Sequence, residues 1–331
     1  MAEAKEQSAP EIEVDRYKGV PKKIADEIRT YESQYFKEDL PIPFCGHLKL
    51  YPATVHDYET FSACSQCLTL DKNQDPKGIR MSQLEYLYSK TQEQGEVGAA
   101  WSYRIQKLFE IIFHLKNGIK CTKCGRVIEY TSDEFRDYIR SIQEAQQNQK
   151  QMPPLVCPEK DCGGTEFIEM MKFIEDPQTK KHVLCVDGKI ISKEDYDRLR
   201  YIVLFQNFAD YRDDSWVDPL LKKDYEEKMK LERQKNDVHA TIEKKVVCLF
   251  ISTNCPLEYI YNMSIRKFTM ALATVDDLIN YKIMKTAAMS GFIQWPKDKP
   301  IEHWIYKPDK DMYGDNSYKS LSEATKGLNT D

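Results

Sequence analysis

The sequence predicts an α+β protein that is mostly helical, with helical domains carrying a small cysteine-rich insertion and a β-hairpin. Three observations predict it. Apolar residues recur at helical spacing over much of the chain. Four cysteines stand in two close pairs, Cys121 with Cys124 and Cys157 with Cys162. Asp187-Gly188 lies between the β-rich runs His182 to Val186 and Lys189 to Ile191, which is the pattern of a two-residue hairpin turn.

Five segments follow from this patterning. Residues 1–14 are polar, acidic and without apolar periodicity, which predicts a disordered N-terminus and not a signal peptide. Residues 15–115 read as an N-terminal α+β domain, 116–172 as the cysteine-rich module with a helical insert, and 173–314 as the hairpin followed by a C-terminal helical domain. Residues 315–331 carry no apolar pattern and are expected to form a mobile tail.

Within the first domain, a charged helix is expected from about 15 to 38, stopped by Pro41 and Pro43. The alternation His47 to Tyr51 predicts a short strand. Pro52 and Thr54 open a helix carrying Tyr58, Phe61 and Cys64. Two more helices are expected, from about 82 to 90 and from about 99 to 115, the second with Ile105, Leu108, Ile111 and Ile112 on one face. In the module, Thr131 with Glu134 three residues on predicts a capping box. Phe135, Tyr138, Ile139 and Ile142 supply the apolar face of the helix that follows.

After the hairpin, Ser192 and Asp195 predict a capped helix whose buried stripe is Tyr196, Leu199, Ile202 and Val203. Residues 220–236 read as a solvated helix. Residues 241–251 are apolar and expected to be buried. Asn254 and Pro256 are expected to start a new helix. Ser264 then caps the most periodic stretch, through Phe268, Leu272, Val275, Ile279, Ile283 and Ala287, with Gly291 as its stop.

Composition bounds the function. A formal net charge of -5 gives no global attraction to nucleic acid or to an anionic membrane. No apolar run approaches the roughly 20 residues that span a bilayer. The chain holds ten cysteines, and without a secretory leader these read as thiols of a reducing cytoplasm.

The four paired cysteines carry the clearest chemistry. Cys121 and Cys124 have two residues between them, Cys157 and Cys162 have four, and 32 residues separate the pairs. Zinc takes four soft or borderline ligands in a tetrahedron, and a tight turn offers two thiolates at once. Gly125 and Gly163 follow the second cysteine of each pair, where positive φ lets amides point at sulfur. The spacing resembles a zinc ribbon with a helical insert between its knuckles. Four cysteines complete the coordination, so the expected cofactor is one structural zinc ion.

Other candidates are weaker. Cys64 and Cys67 could pair with Cys45, His47 or His56 in a second metal or redox site, but the leading reading is two helix-face cysteines of which one is buried. Cys185, Cys248 and Cys255 lie in apolar runs and are expected in the core. Asp210, Asp213, Asp214 and Asp218 could bind Mg²⁺, but a solvated linker is favoured. The six histidines, His47, His56, His114, His182, His239 and His303, are isolated in sequence. Lys120, Lys123, Arg126, Arg136 and Arg140 suggest the alternative function, a zinc-ribbon nucleic-acid-binding protein related to transcription. Glu129, Asp133, Glu134 and Asp137 are interleaved with them, which favours a solvated or protein-contacting face. No P-loop, nucleophile elbow, dinucleotide fingerprint or kinase signature is present, and the expectation is a chain that is not an enzyme and has no small-molecule substrate.

Three stretches together resemble a known group of proteins: Leu40 to Pro52, Gly188 to Asn207, and Tyr261 to Gly291. They are similar to uncharacterised proteins encoded among the tail genes of large tailed bacteriophages. Those in turn resemble baseplate-hub assembly proteins of T-even phages, or tail assembly chaperones. The resemblance implies a cytoplasmic or virion-associated assembly factor whose partners are tail or baseplate proteins. It implies no site residues.

Overall fold

The computed structural model describes residues 16–72, 75–176, 180–214, 217, 219–236, 240–290, 301 and 303–306. The segments expected to be disordered or mobile (1–14 and 315–331), Asp218, His239 and the helix stop at Gly291 lie outside them. The fold is mostly helical with small antiparallel sheets. The chain divides into two compact units. One comprises Lys22–Ala209 and Ile242–Met270, the other Met1–Pro21, Asp210–Thr241 and Ala271–Asp331. Among the described residues, no helix is long and apolar enough to cross a membrane.

The larger unit begins with α1 (Lys22–Gln34). This is shorter than the expected helix because Pro21 precedes it and a separate 3-10 turn, Phe36–Glu38, follows. Strands β1 (Ile42–Pro43) and β2 (Lys49–Leu50) pair antiparallel, with Ile42 opposite Leu50. A 3-10 turn leads into α2 (Tyr58–Cys64), and a second one, Ser65–Cys67, continues it. Helix α3 (Gln83–Thr91) starts at a capping box of Ser82 and Glu85. Helix α4 (Glu96–Phe113) buries Ile105, Leu108, Phe109 and Ile112 against α2 and α3. His114, at φ 51°, ends it in the left-handed region.

Two three-stranded sheets follow. The first orders β4 (Val127–Glu129), β3 (Gly118–Cys121) and β5 (Phe167–Glu169), and helix α5 (Asp133–Gln147) is inserted between β4 and β5. The second is the meander β6 (Met171–Glu175), β7 (His182–Val186), β8 (Lys189–Ile191). The boundary drawn after residue 172 falls inside β6. The β7–β8 turn forms at Asp187 (φ 44°) and Gly188 (φ 74°), the two positive φ angles a two-residue hairpin needs.

Helix α6 (Lys193–Asn207) is the centre of the larger unit. Ser192 and Asp195 form its expected capping box. Every residue from Leu199 to Asn207 is buried, the apolar run Tyr201 to Phe205 together with Arg200, Gln206 and Asn207. It packs on α1, α3 and β8. Helices α8 (Ile242–Thr253) and α9 (Leu257–Asn262) complete this unit, with the first residues of α10 (Ile265–Met289). The start of α10 is pinned by Ile265 N–H to Ala53 O at 2.9 Å, and Ser264 caps it.

Three expectations are corrected in this region. The stretch 241–251 is mostly exposed: Val246 and Leu249 face inward, whereas Val247, Phe250 and Ile251 are exposed along one helical face. Cys248 is exposed, and Cys185 and Cys255 are intermediate. Asn254 does not start α9. It sits at φ 53° and donates to Phe250 O at 2.8 Å, so it closes α8, and Pro256 takes the N-cap position of α9.

In the smaller unit, α7 (Pro219–Asn236) is the charged helix the sequence predicts, and Lys222 pairs with Asp214 at 3.0 Å. The C-terminal part of α10 also belongs here. Its stripe is only partly covered, and Ile279 and Ile283 are exposed. Tyr281 lies 5.0 Å from the His303 ring.

Candidate metal centre

Strand β3 delivers Cys121 to the first knuckle. Cys121 N–H donates to Arg126 O at 2.9 Å, and Gly125 N–H donates to Cys121 O at 2.9 Å, closing a tight turn around Cys124. Gly125 takes φ 77° to make it. The amides of Cys124 and Lys123 point at the Cys121 sulfur, and the first of them does most to bring that thiol down to about 7 against the effect of burial.

The second knuckle has the same logic with a longer turn. Cys157 N–H donates to Gly164 O at 2.8 Å, and Cys162 N–H donates to Glu159 O at 3.1 Å. The two extra residues are absorbed by Asp161 at φ 64°, ahead of Gly163 at φ 57°. The Glu159 and Gly164 amides point at the Cys157 and Cys162 sulfurs. Burial pushes the Cys157 thiol up to about 12. A bound cation would bring all four sulfurs to the thiolate form.

The four sulfurs lie within 4.8 Å of one another. Cys121 and Cys162 are 3.8 Å apart, Cys124 and Cys157 3.5 Å. A disulfide would need about 2.05 Å, so these are thiols. Sulfurs about 2.3 Å from a tetrahedral ion stand about 3.8 Å from each other. The cluster therefore fits a metal ion, and its donor set is compatible with zinc. Cys121, Cys157 and Cys162 are buried and Cys124 is exposed.

Sequence reasoning missed one residue of this centre and misplaced the cap of the helix beside it. The residue missed is Gly164, which is not among the positive-φ glycines. A Cβ there would stand 2.8 Å from the Cys121 sulfur and 3.4 Å from the Cys162 sulfur, so only glycine fits. The paired glycines after Cys162 were the available signal. The helix cap was placed one residue early. Ser132, not Thr131, is the N-cap, and its Oγ accepts from Phe135 N–H at 3.3 Å.

The other candidates do not assemble. Among the described residues, the four cysteines are the one group of three or more His, Cys, Asp or Glu close enough to hold an ion. Cys64 and Cys67 are both buried, not one of them, because the 3-10 turn carries Cys67 to the inner face after α2. Burial pushes the Cys67 thiol up to about 12, which disfavours redox chemistry. His47 bonds Asp187 at 2.8 Å. His56, His114 and His182 stack on Tyr261, Tyr51 and Tyr88. Asp213 is buried, while Asp214 pairs with Lys222.

Four of the five basic residues singled out in the module, Lys120, Arg126, Arg136 and Arg140, pair with carboxylates. Lys120 bonds Asp187 at 2.7 Å, and Lys123 donates to Cys162 O. Arg126 bonds both Glu134 and Glu159. Arg136 and Arg140 bond Asp133 and Asp137 on their own helix. No protein-family model, curated protein or solved structure matches the chain.

Proposed function

We propose that the chain is a non-enzymatic assembly factor for the tail or baseplate hub of a tailed bacteriophage, working through protein–protein contacts in the host cytoplasm or on the virion, with one structural zinc. The resemblance of three stretches to phage tail-gene products carries this reading.

The fold supports it by bringing those stretches together. Gly46, in the turn between β1 and β2, lies under the Lys189 side chain of β8. Asn207 at the end of α6 accepts at 2.7 Å from the N–H of Ala53, the residue just after the first stretch. Arg266 of α10 donates to Phe205 O at 2.6 Å. The first two stretches and the start of the third, up to Met270, thus pack together within the larger unit.

Zinc is the ion of choice for four thiolates in a tetrahedron, and such a set leaves no position for water or substrate. Its role is to hold the module together. The pairing of Lys120, Arg126, Arg136 and Arg140 with carboxylates favours protein contact over nucleic acid as the use of this face. Exposed Val247, Phe250 and Ile251 on α8 offer apolar contact area.

Co-expression of the tagged chain with products of the neighbouring genes tests the reading. A tail or hub protein should co-purify. A gene outside any tail module, or salt-dependent DNA or RNA binding lost on Cys121→Ser, would overturn it. Metal analysis should find about one zinc per chain.

A further inference from the structure

Helix α5 is not self-sufficient. It has 15 residues, at the upper edge of the roughly 12–15 below which isolated helices are marginal in water, where most stability comes from packing of one face. Its ion pairs Arg136–Asp133 and Arg140–Asp137 are internal and tie it to nothing else. It packs on β4, where Phe135 meets Tyr130 edge-on at 4.9 Å. Its start is tied to that strand by Ser132 N–H to Glu129 O at 3.0 Å. Its far end runs on to Cys157, a residue of the metal cluster.

Arg126 links this helix to the cluster. The residue follows the first knuckle directly. Its Nη2 donates to Glu134 Oε1 at 3.1 Å, in the first turn of α5. Its Nη1 donates to Glu159 Oε2 at 2.9 Å. Glu159 belongs to the second knuckle, where its amide points at the Cys157 sulfur and its carbonyl accepts from Cys162. One guanidinium therefore joins both knuckles and the helix, in the planar two-carboxylate geometry that suits arginine.

We propose that metal binding controls the docking of α5, with Arg126 as the positioning residue that couples them. This rests on reading the cysteine cluster as a zinc site. An ion holds Cys157 and Cys162 against Cys121 and Cys124, which fixes Glu159 where Arg126 bonds it and Glu134 together. Without the ion the second knuckle keeps its internal hydrogen bonds and the pairing of β5 with β3, but only the Lys123 hydrogen bond to Cys162 O and the exposed Arg126–Glu159 pair still join it to the first knuckle, too little to keep Glu159 in place. Arg126 then loses one carboxylate, and α5 loses the restraint at its far end.

Amide hydrogen exchange on the full chain, with metal content measured on each sample, tests this. Chelation should speed exchange across residues 133–147 and leave α6 unchanged. Arg126→Gln and Glu159→Gln should retain about one zinc and still speed exchange across α5 by about 1.5- to 5-fold, the range that follows from the loss of an exposed ion pair. Arg140→Gln, whose partner lies within the helix, should not reproduce the pattern. Glu159 lies outside α5, so a merely local role would leave the helix unaffected in its variant. The coupling fails if α5 exchange is unchanged by chelation, if both variants match wild type with zinc bound, or if they lose zinc. A wild-type chain that takes up no zinc overturns the zinc reading as well, and only that result does.

Discussion

Lys120 Nζ donates to Asp187 Oδ1 at 2.7 Å, joining the strand that enters the first knuckle to the turn of the β7–β8 hairpin. The same carboxylate bonds His47 through its other oxygen at 2.8 Å. Its side chain is only 9% exposed. Asp187 therefore ties the module and the β1–β2 region to a residue whose backbone is already committed to the turn.

Replacing Asp187 by Asn keeps a residue that tolerates positive φ and removes the charge. The expected loss is about 1–2 kcal/mol near neutral pH, measured by urea unfolding. Burial raises this carboxyl, but Lys120 and His47 outweigh it, and the group is held below its ordinary value. A depressed folded value means the stabilisation is present above the unfolded value of about 3.9 and fades as pH falls through the folded one. The gap between wild type and variant should therefore close in acid. A gap that stays constant down to pH about 2 would show that the charge is not its source.

Gly164→Ala should weaken metal binding more than it disturbs the rest of the fold. The new methyl group meets the Cys121 sulfur at 2.8 Å. Overpacking of this kind costs about 1–3 kcal/mol, or roughly 5- to 150-fold in affinity. Competition with a chromogenic chelator reads it directly, and unchanged affinity would remove Gly164 from the centre.

Metal removal should act locally. Chelation or Cys157→Ser is expected to lower the melting temperature and loosen the module, while α6 and its neighbours keep their protection against exchange. The core residues Phe61, Phe109, Tyr196 and Phe205 lie outside the module, so their packing does not depend on the ion. A full loss of helical circular dichroism on chelation would contradict this.

Asn207 is fully buried and uses its amide twice, accepting from Ala53 N–H at 2.7 Å and donating to Val203 O at 2.9 Å. Asn207→Ala leaves the Ala53 amide without its partner. The expected cost is about 1–3 kcal/mol, seen as a lower denaturation midpoint with unchanged slope. Asn207→Asp should be no better, because it places a charge beside the Val203 carbonyl in a buried position.

What could be read in the sequence was local. The Asp187-Gly188 turn, the Ser192 cap and the four cysteines each depend on residues a few positions apart, and the backbone angles agree with the reading. What escaped depended on distant partners or on a choice between neighbouring residues with the same local signal. Gly164 matters because Cys121 is beside it, 43 positions earlier. The cap of α5 went to Ser132 and not its neighbour Thr131 because Ser132 N–H bonds Glu129 O and fixes the helix start. Residues 241–251 are apolar on several faces, and only packing decides that Val246 and Leu249 go inward. Asn254 and Pro256 both carry helix-end signals. Left-handed backbone at Asn254 assigned it to the helix before and not the one after.

The two knuckles also close a loop, since Cys124 and Cys157 are brought to 3.5 Å across 32 intervening residues. The entropy of closing a flexible loop grows only with the logarithm of its length, about 0.6 kcal/mol per doubling. A centre that gathers both ends is therefore nearly indifferent to how much chain lies between them. The interval that now holds α5 can be lengthened, shortened or exchanged at small thermodynamic cost, and a foreign helix grafted there should leave the larger unit's core folded.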